Sequence, residues 1–435
     1  MSFTYKKVLF FITVLCLILS TPAFSDPNKI FSDGIMLQSF GWNSQSKGFP
    51  SHWYRLISQR VDSIKKLGVN MIWLPPVSRS VSPQGYFPGD YYDLGTADLP
   101  TFYGNIDTLT ETLNKLNENK IFPIADIVIN HRCAGKQDEN GIWNVYHFAS
   151  NKASWEKWAV CKGEYGGTGN PDSGENYSAA PDIDHSSPQV QKDISDWLNW
   201  LKKLGFRGWR YDFAKGYSAK YAGIYNTNSK IPFSVSEIWT NMAYQGSYLQ
   251  PNQNAHRQAL CDWIDASKSP VACTFDFTTK GVLQVAVNGE YWRLKDSSGK
   301  PSGLIGWWPS RAVTFLDNHD TGSQQGHWPF PGDKVMQGYA YILTHPGIPC
   351  LFWEHVYDWN LYDKIKKLVD IRKKFNIHST SKIKILKAED GLYSAVIDDC
   401  VAAKLGNKDW SPAAGFTLLA SGEGYAVWGK TARKP

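Results

Sequence analysis

The sequence predicts an α/β protein: a (β/α)8 TIM barrel with a small excursion domain after its third strand and a C-terminal antiparallel β-sheet domain. Three observations predict it. From residue 35, eight short apolar runs alternate with amphipathic segments. Several runs begin apolar and finish on ionisable side chains, as barrel strands do where their carboxyl ends meet at one active face. The tail then changes to period-two alternation broken by Gly and Asp turns, the pattern of antiparallel strands.

The runs are "IMLQSF" (35–40), "NMIWLPP" (70–76), "IFPIADIVINH" (121–131), "FRGWRYDF" (206–213), "PFSVSEIW" (232–239), "ACTFDF" (272–277), "AVTFLDNHD" (312–320) and "PCLFWEH" (349–355). Between them, "HWYRLISQRVDSIKKLG" stops on Gly68, a residue that tolerates the left-handed turn closing a helix. "SSPQVQKDISDWLNWLKKLG" opens on a serine cap with Pro188 in the first turn and ends on Gly205. "GDKVMQGYAYILTHPG" and "DWNLYDKIKKLVDIRKKF" close the series. Residues 132–185 interrupt it. They are rich in Gly, Asn, Asp and Trp, and an insertion of that length is usually functional. The predicted division is 26–131 and 186–375 for the barrel, 132–185 for the excursion and 376–435 for the β module.

The 435 residues begin with Lys6 and Lys7, the apolar run "VLFFITVLCLILS" and the small residues of "PAFS". That is the pattern of a signal peptide over 1–25, and the run is short for a membrane span. The expected product is secreted: extracellular, or periplasmic in a Gram-negative host. No membrane association is expected after removal of the leader. Six cysteines remain beyond Cys16, an even number that leaves disulfides and free buried thiols both open. The net charge of +6 comes from dispersed basic residues. The densest run, in "KIKKLVDIRKKF", has helical spacing and reads as a solvated helix face, so nucleic acid is not an expected partner. Many of the 19 Trp residues will be core, but exposed indoles also make flat platforms for sugar rings.

"GFRGWRYDF" (205–213) sharpens the functional question. Alternate strand residues share a face, so Arg210 and Asp212 point one way while Trp209, Tyr211 and Phe213 point the other. Burial explains the aromatic side, and a catalytic mouth explains the charged one. Two more strand ends carry acids, Glu237 in "SEIW" and Asp320 in "FLDNHD". Paired carboxyls facing one bond are the usual equipment for glycoside hydrolysis. Arg210 is expected to lower the pKa of Asp212, and the apolar neighbours Val235, Ile238 and Trp239 to raise that of Glu237.

"DIVINH", "GWRYDFAKG", "EIW" and "FLDNHD" together resemble the alpha-amylase family of glycoside hydrolases, and the match is closest to the plant-type alpha-amylases. It extends to "SPQGYFPGDYYDLG", "GTGNPDSGENYSAAPDIDH", "GWWPSRAVTFLDNHDTGS" and "WPFPGDKVMQGYAYILTHPG", nearly the whole chain after the leader. The resemblance implies a retaining reaction with Asp212 as nucleophile, Glu237 as general acid/base and Asp320 stabilising the transition state. It also implies that His131 and His319 bond the sugar at the cleavage subsite, Tyr86 stacks on it, and Lys215 touches the leaving-group side. Arg210 joins this substrate-binding set. A calcium ion is implied, held by the side chains of Asn130, Asp172 and Asp182 and the backbone oxygens of Glu175 and Gly216. An oxygen-rich donor set of this kind suits such a hard cation. Trp307 and Trp308 resemble a starch-granule surface site.

The expected activity is therefore endo-hydrolysis of α-1,4-glucans such as starch and glycogen by a monomer. The alternatives share the same barrel: an exo-acting maltogenic enzyme, an α-glucan transglycosylase, or a catalytically dead starch-binding protein. The presence of all three acids with Arg210 and His319 argues against the last. No G-x-S-x-G elbow and no H-E-x-x-H zinc motif points to another hydrolase class.

Overall fold

The computed structural model describes residues 32–47 and 52–430, so the segment read as a signal peptide lies outside it. Eight parallel strands close into a barrel in chain order. They are β1 (Met36–Gln38), β2 (Met71–Trp73), β3 (Phe122–Ile127), β4 (Gly208–Tyr211), β5 (Ser234–Ser236), β6 (Ala272–Phe275), β7 (Ala312–Thr314) and β8 (Ile348–Phe352). Every strand residue is buried. One face of each strand meets the barrel interior and the other meets helices, so the sequence shows unbroken apolar runs there.

One main helix follows each strand: α1 (Trp53–Leu67), α2 (Ile106–Glu118), α3 (Pro188–Leu204), α4 (Ala219–Ser229), α5 (Asn254–Ser267), α6 (Phe277–Ala286), α7 (Val335–Thr344) and α8 (Tyr362–Lys374). Their ends carry the expected chemistry. Gly68 closes α1 at φ 96°, a conformation that favours glycine. Asn105 and Thr108 bond reciprocally to start α2, and the Ser187 side chain accepts from Val190 N–H at the start of α3, with Pro188 behind it. In α8 the basic residues are mostly solvated, as expected, but Arg372 is buried. Its guanidinium donates to the carbonyls of Leu343, His345 and Gly347, tying α8 to the turn before β8.

The strands end earlier than their apolar runs, by the widest margins at β7 and β3. β3 stops at Ile127 rather than His131, β7 stops at Thr314 rather than Asp320, and β8 gives way to a π-helical turn over Glu354–Asp358. The residues that leave the ladder bond elsewhere. Asn130 O accepts from Ile183 N–H (2.9 Å), and Arg132 N–H reaches Pro181 O (3.1 Å). After β3 the strand continuation is thus exchanged for contacts with the excursion.

That excursion, between β3 and α3, is organised around a buried cation. Arg132 is fully buried, with Tyr91, Tyr146, Phe148 and Trp155 ring centroids 4.4–5.2 Å from its guanidinium carbon. It donates to Gly89 O and Ala153 O, both at 2.7 Å. Aromatic faces and carbonyls together replace the lost water shell. After α8, five antiparallel strands form a sheet in the order Ile383–Glu389, Leu392–Ile397, Val401–Leu405, Tyr425–Gly429, Thr417–Gly422. It docks on α7, where His345, just past the helix end, stacks on Tyr341 (3.8 Å) and bonds the Tyr393 hydroxyl (2.8 Å). The six cysteines among the described residues are free thiols. No described helix is long and apolar enough to cross a membrane.

Candidate active site

The inward face of β4 sends Arg210 into the barrel while Trp209 and Tyr211 bond outward to Ser229 and Asn226 of α4 (both 3.0 Å). The strand alternation read from the sequence is therefore the alternation observed. Arg210 is fully buried, and three carboxyls from three adjacent strands converge on it. Its Nη1 meets Asp212 Oδ1 at 2.6 Å and Asp126 Oδ1, from β3, at 2.9 Å. Its Nη2 meets Glu237 Oε2, just past β5, at 2.9 Å. A planar guanidinium can span neighbouring carboxylates in this way and an ammonium cannot.

The backbone beside Asp212 is bent to serve the same site. Phe213 sits at φ 40°, a left-handed conformation that costs a bulky residue about 1–2 kcal/mol. The bend turns Phe213 N–H onto Glu237 Oε2 (3.0 Å). Asp320 arrives from the loop after β7. Gln325 Nε2 donates to its Oδ1 (3.0 Å), and His319 Nε2 lies 3.2 Å from its Oδ2. On the other side of the imidazole, Gln38 Nε2 donates to His319 Nδ1 (3.0 Å). This bond puts the ring proton on Nε2, towards Asp320.

Four carboxyls thus surround one guanidinium. Burial raises Asp212, Glu237 and Asp320 above the ordinary carboxylate range and lifts Asp126 to about 7. Arg210 pulls each of them back. The expectation for Glu237 holds, and that for Asp212 needs correction: Arg210 does pull its pKa down, but desolvation by burial outweighs it and the net direction is upward. Both site histidines are neutral at pH 7. Burial lowers His131 to about 4, and burial with Arg210 nearby holds His319 well below its usual value.

Flat rings line the approach. Tyr86 stacks on His319 (4.8 Å, 6°), and Trp42 runs parallel to both, with centroids 6.4 Å and 6.2 Å away. The Tyr86 hydroxyl donates to Asp126 Oδ2 (2.9 Å), so this largely buried ring is anchored at the base of the cleft. His131 bonds Tyr86 O (2.8 Å) and stacks on Tyr177 of the excursion (4.0 Å). Lys215 Nζ pairs with Glu175 Oε1 (2.7 Å) and lowers the Glu237 carboxyl electrostatically. Trp307 and Trp308 are not part of this assembly. They precede β7; Trp307 is half exposed and carries the Arg257 guanidinium at 3.7 Å, while Trp308 packs against the core.

Beside the mouth lies an oxygen-rich cradle. Asn130 Oδ1 and Asp172 Oδ2 are buried without hydrogen-bond donors, and Asn130 Nδ2 donates to Asp182 Oδ1 (2.8 Å). Glu164, Asp172 and Asp182 bring carboxylate oxygens within 4.8 Å of one another. Burial and the neighbouring acids raise Asp182 to about 7. Two glycines let the backbones meet: a Cβ on Gly216 would stand 2.1 Å from Asn130 Oδ1, and one on Gly174 would stand 2.3 Å from Gly216 C. Unpaired acceptors, clustered acids and close backbone oxygens fit a hard divalent cation. The Glu175 side chain is taken by Lys215, which leaves its carbonyl as the available donor.

Sequence reasoning named these residues but missed others. Asp126 was visible as a strand-end acid; its role follows from register, which pairs it with Arg210 across β3 and β4. Glu164, Trp42, Tyr177 and Gln325 lie in loops, where no periodicity signals which side chain turns inward.

Comparison with known proteins adds to this geometry. A family model described as "Alpha amylase, catalytic domain" matches residues 53–324, and "Alpha-amylase C-terminal beta-sheet domain" matches 374–429. The "Probable alpha-amylase 2" of Arabidopsis thaliana is 47% identical over 412 residues, covering 93% of this chain and 97% of that protein. The "Alpha-amylase 3, chloroplastic" of the same plant is 42% identical over 432 residues; the match covers 94% of this chain but 47% of that protein. Among solved structures, an alpha-amylase from Malbranchea cinnamomea has a TM-score of 0.65 at 17% identity, covering 94% of this chain and 98% of that one. At that identity the likeness is one of fold.

Proposed function

The chain belongs to the alpha-amylase family of glycoside hydrolases, and from that premise we propose that it is a secreted, calcium-dependent endo-hydrolase of α-1,4-glucans that acts with retention. The observation that carries the mechanism is the shared guanidinium. Asp212 and Glu237, from neighbouring strands, share Arg210: Asp212 accepts a hydrogen bond from Nη1, and Glu237 pairs ionically with Nη2. This favours the close carboxyl spacing of retaining enzymes, about 5–5.5 Å, over the wider gap that houses an inverting water.

In the first step Asp212 attacks the anomeric carbon, the glycosidic C–O bond breaks, and Glu237 gives its proton to the departing oxygen. In the second, Glu237 removes a proton from water as that water displaces Asp212 from the same carbon. The raised pKa of Glu237 suits it to hold the proton. The short contact of Asp212 with Arg210 suits it to carry the charge. Asp320 and neutral His319 then face the hydroxyls of a sugar stacked on Tyr86, while Lys215 stands beside Glu237. His131, below Tyr86, completes the floor of that subsite.

The cradle of Asn130, Glu164, Asp172 and Asp182, with the carbonyls of Glu175 and Gly216, would hold the calcium ion. Its positive charge would neutralise the clustered acids and tie the excursion to the end of β4. Chelation is expected to lower the melting temperature by several degrees and to expose 132–185 to proteolysis. Gly216→Ala, whose methyl would meet Asn130 Oδ1, is expected to melt lower from the start and to lose most of its response to chelator. Unchanged melting in both experiments would remove the ion from the account.

Digestion of soluble starch by residues 26–435 tests the activity itself. Viscosity is expected to collapse well ahead of reducing-end release. Slow viscosity loss with one small product would move the enzyme to the exo-acting or transferring branch. The N-terminus of the chain recovered from the medium checks export, and a start at Asp26 is the expected result.

A further inference from the structure

Away from the barrel mouth, a cavity of about 520 Å³ opens between α3, the loop after β2 and the excursion. We infer that it is a second glucan-binding site, one that anchors a polysaccharide chain without cutting it; its ligand class rests on the α-glucan reading above.

Its floor is aromatic. Trp200 and Tyr92 stand with ring centroids 5.0 Å apart, tilted by 43°. Both rings are only partly buried, although each packs against the core on its other side. A paired indole and phenol left accessible inside a hollow match the apolar faces of adjoining pyranose rings. The rim is polar, and much of it is unspent. Asp196 uses one oxygen on an exposed pair with Lys192, and the Asn199 amide N–H groups go to Ser195 O and Asn228 O, which leaves its Oδ1 as an acceptor. Lys152 lies over both rings, 4.5 Å from the Tyr92 centroid and 5.9 Å from the Trp200 centroid, on a flexible stem that must swing aside, towards a hydroxyl, for a sugar to stack. Asp193 and Asp196 balance Lys152 and Lys203 around the cavity, so the lining offers no net field to a charged ligand. Flat apolar faces, free donors and acceptors and no net charge together select a neutral polyol.

The walls are set before a ligand arrives. Ser150 donates through N–H and Oγ to Asp90, and buried Arg132 holds Ala153 O at 2.7 Å. Asn151 and Ala153 adopt left-handed backbone, at φ 51° and 45°, to bring the excursion over Trp200. Rigid walls reduce the ordering cost of binding.

The test compares adsorption of the full chain to starch granules in the cold with hydrolysis of maltoheptaose, a substrate short enough to need only the cleft. Trp200→Ala is expected to adsorb about tenfold more weakly with unchanged turnover of maltoheptaose. Because Trp200 also packs on the core, Asp196→Ala serves as a second variant at an exposed residue, and a several-fold loss of adsorption is expected from it. Wild-type adsorption by Asp196→Ala and by a folded Trp200→Ala overturns the inference, as does a loss of adsorption that only parallels a loss of turnover. A wild-type chain that leaves maltoheptaose intact would instead overturn the α-glucan reading, a distinct result.

Discussion

Asp212→Asn is expected to lower kcat by about 10⁴-fold or more while leaving starch binding nearly intact. The amide keeps the volume of the carboxyl, and Asn Oδ1 can still accept from Arg210, so the barrel end should hold its shape. What disappears is the oxygen that forms the bond to the anomeric carbon. Because Asp212 is buried and its pKa is set jointly with Glu237 and Asp126, the substitution also removes one competing charge from the cluster. The Glu237 carboxyl, which Asp212 now raises, should therefore titrate lower in the variant. Single-turnover kinetics with granule adsorption as the control measures both consequences. Activity within tenfold of wild type would remove Asp212 from the nucleophile's role and with it the double displacement.

Arg210→Lys is the second large effect, and it separates positioning from simple support. Arg210 lowers the pKa of Asp126, Asp212, Glu237 and Asp320 alike. An ammonium at the same place reaches fewer of them, so the acids should rise further. The sign follows directly: the nucleophile must be ionised, a higher pKa means a smaller ionised fraction at pH 7, and the acid limb of kcat/KM against pH should move to higher pH. A shift of about two units would reduce kcat/KM by up to about 100-fold on the acid limb of the profile and leave much less of a deficit at alkaline pH. A merely structural role would scale the whole profile down without moving it. Arg210→Met should be worse, because it leaves buried carboxyls with no counter-charge, a change that destabilises by about 3–5 kcal/mol unless they take up protons. Urea unfolding of both variants at pH 5 and pH 8 would show the deficit growing with pH, since acids whose pKa is raised on folding carry less charge at the lower value.

The barrel was legible because each element carries its own local signal. Strands buried on both faces write continuous apolar runs, helices write a 3.6-residue period, and Gly68, Ser187 with Pro188 and Gly205 mark helix ends. Even the role of β4 could be read, since alternation alone separates Arg210 and Asp212 from Trp209 and Tyr211. The ends of β3, β7 and β8 could not be read. An apolar run continues past the point where the backbone leaves the ladder, and tertiary partners decide where that happens: after β3 they are residues of the excursion, and after β7 the Asp317–Thr321 turn bonds within itself.

The site divides in the same way. The sequence by itself determined which acids stand at the strand ends, and the resemblance of its motifs placed Tyr86, His131 and His319 near them. Tertiary structure decided that Asp126 joins the Arg210 fork, that burial outweighs Arg210 at Asp212, and that Glu164 completes the oxygen cradle. It also brought Tyr92 and Trp200, 108 residues apart in the chain, to the two sides of one hollow. The reason is physical: periodicity encodes the face on which a residue lies, whereas desolvation and charge sharing depend on every group packed around it, and those neighbours come from distant parts of the chain.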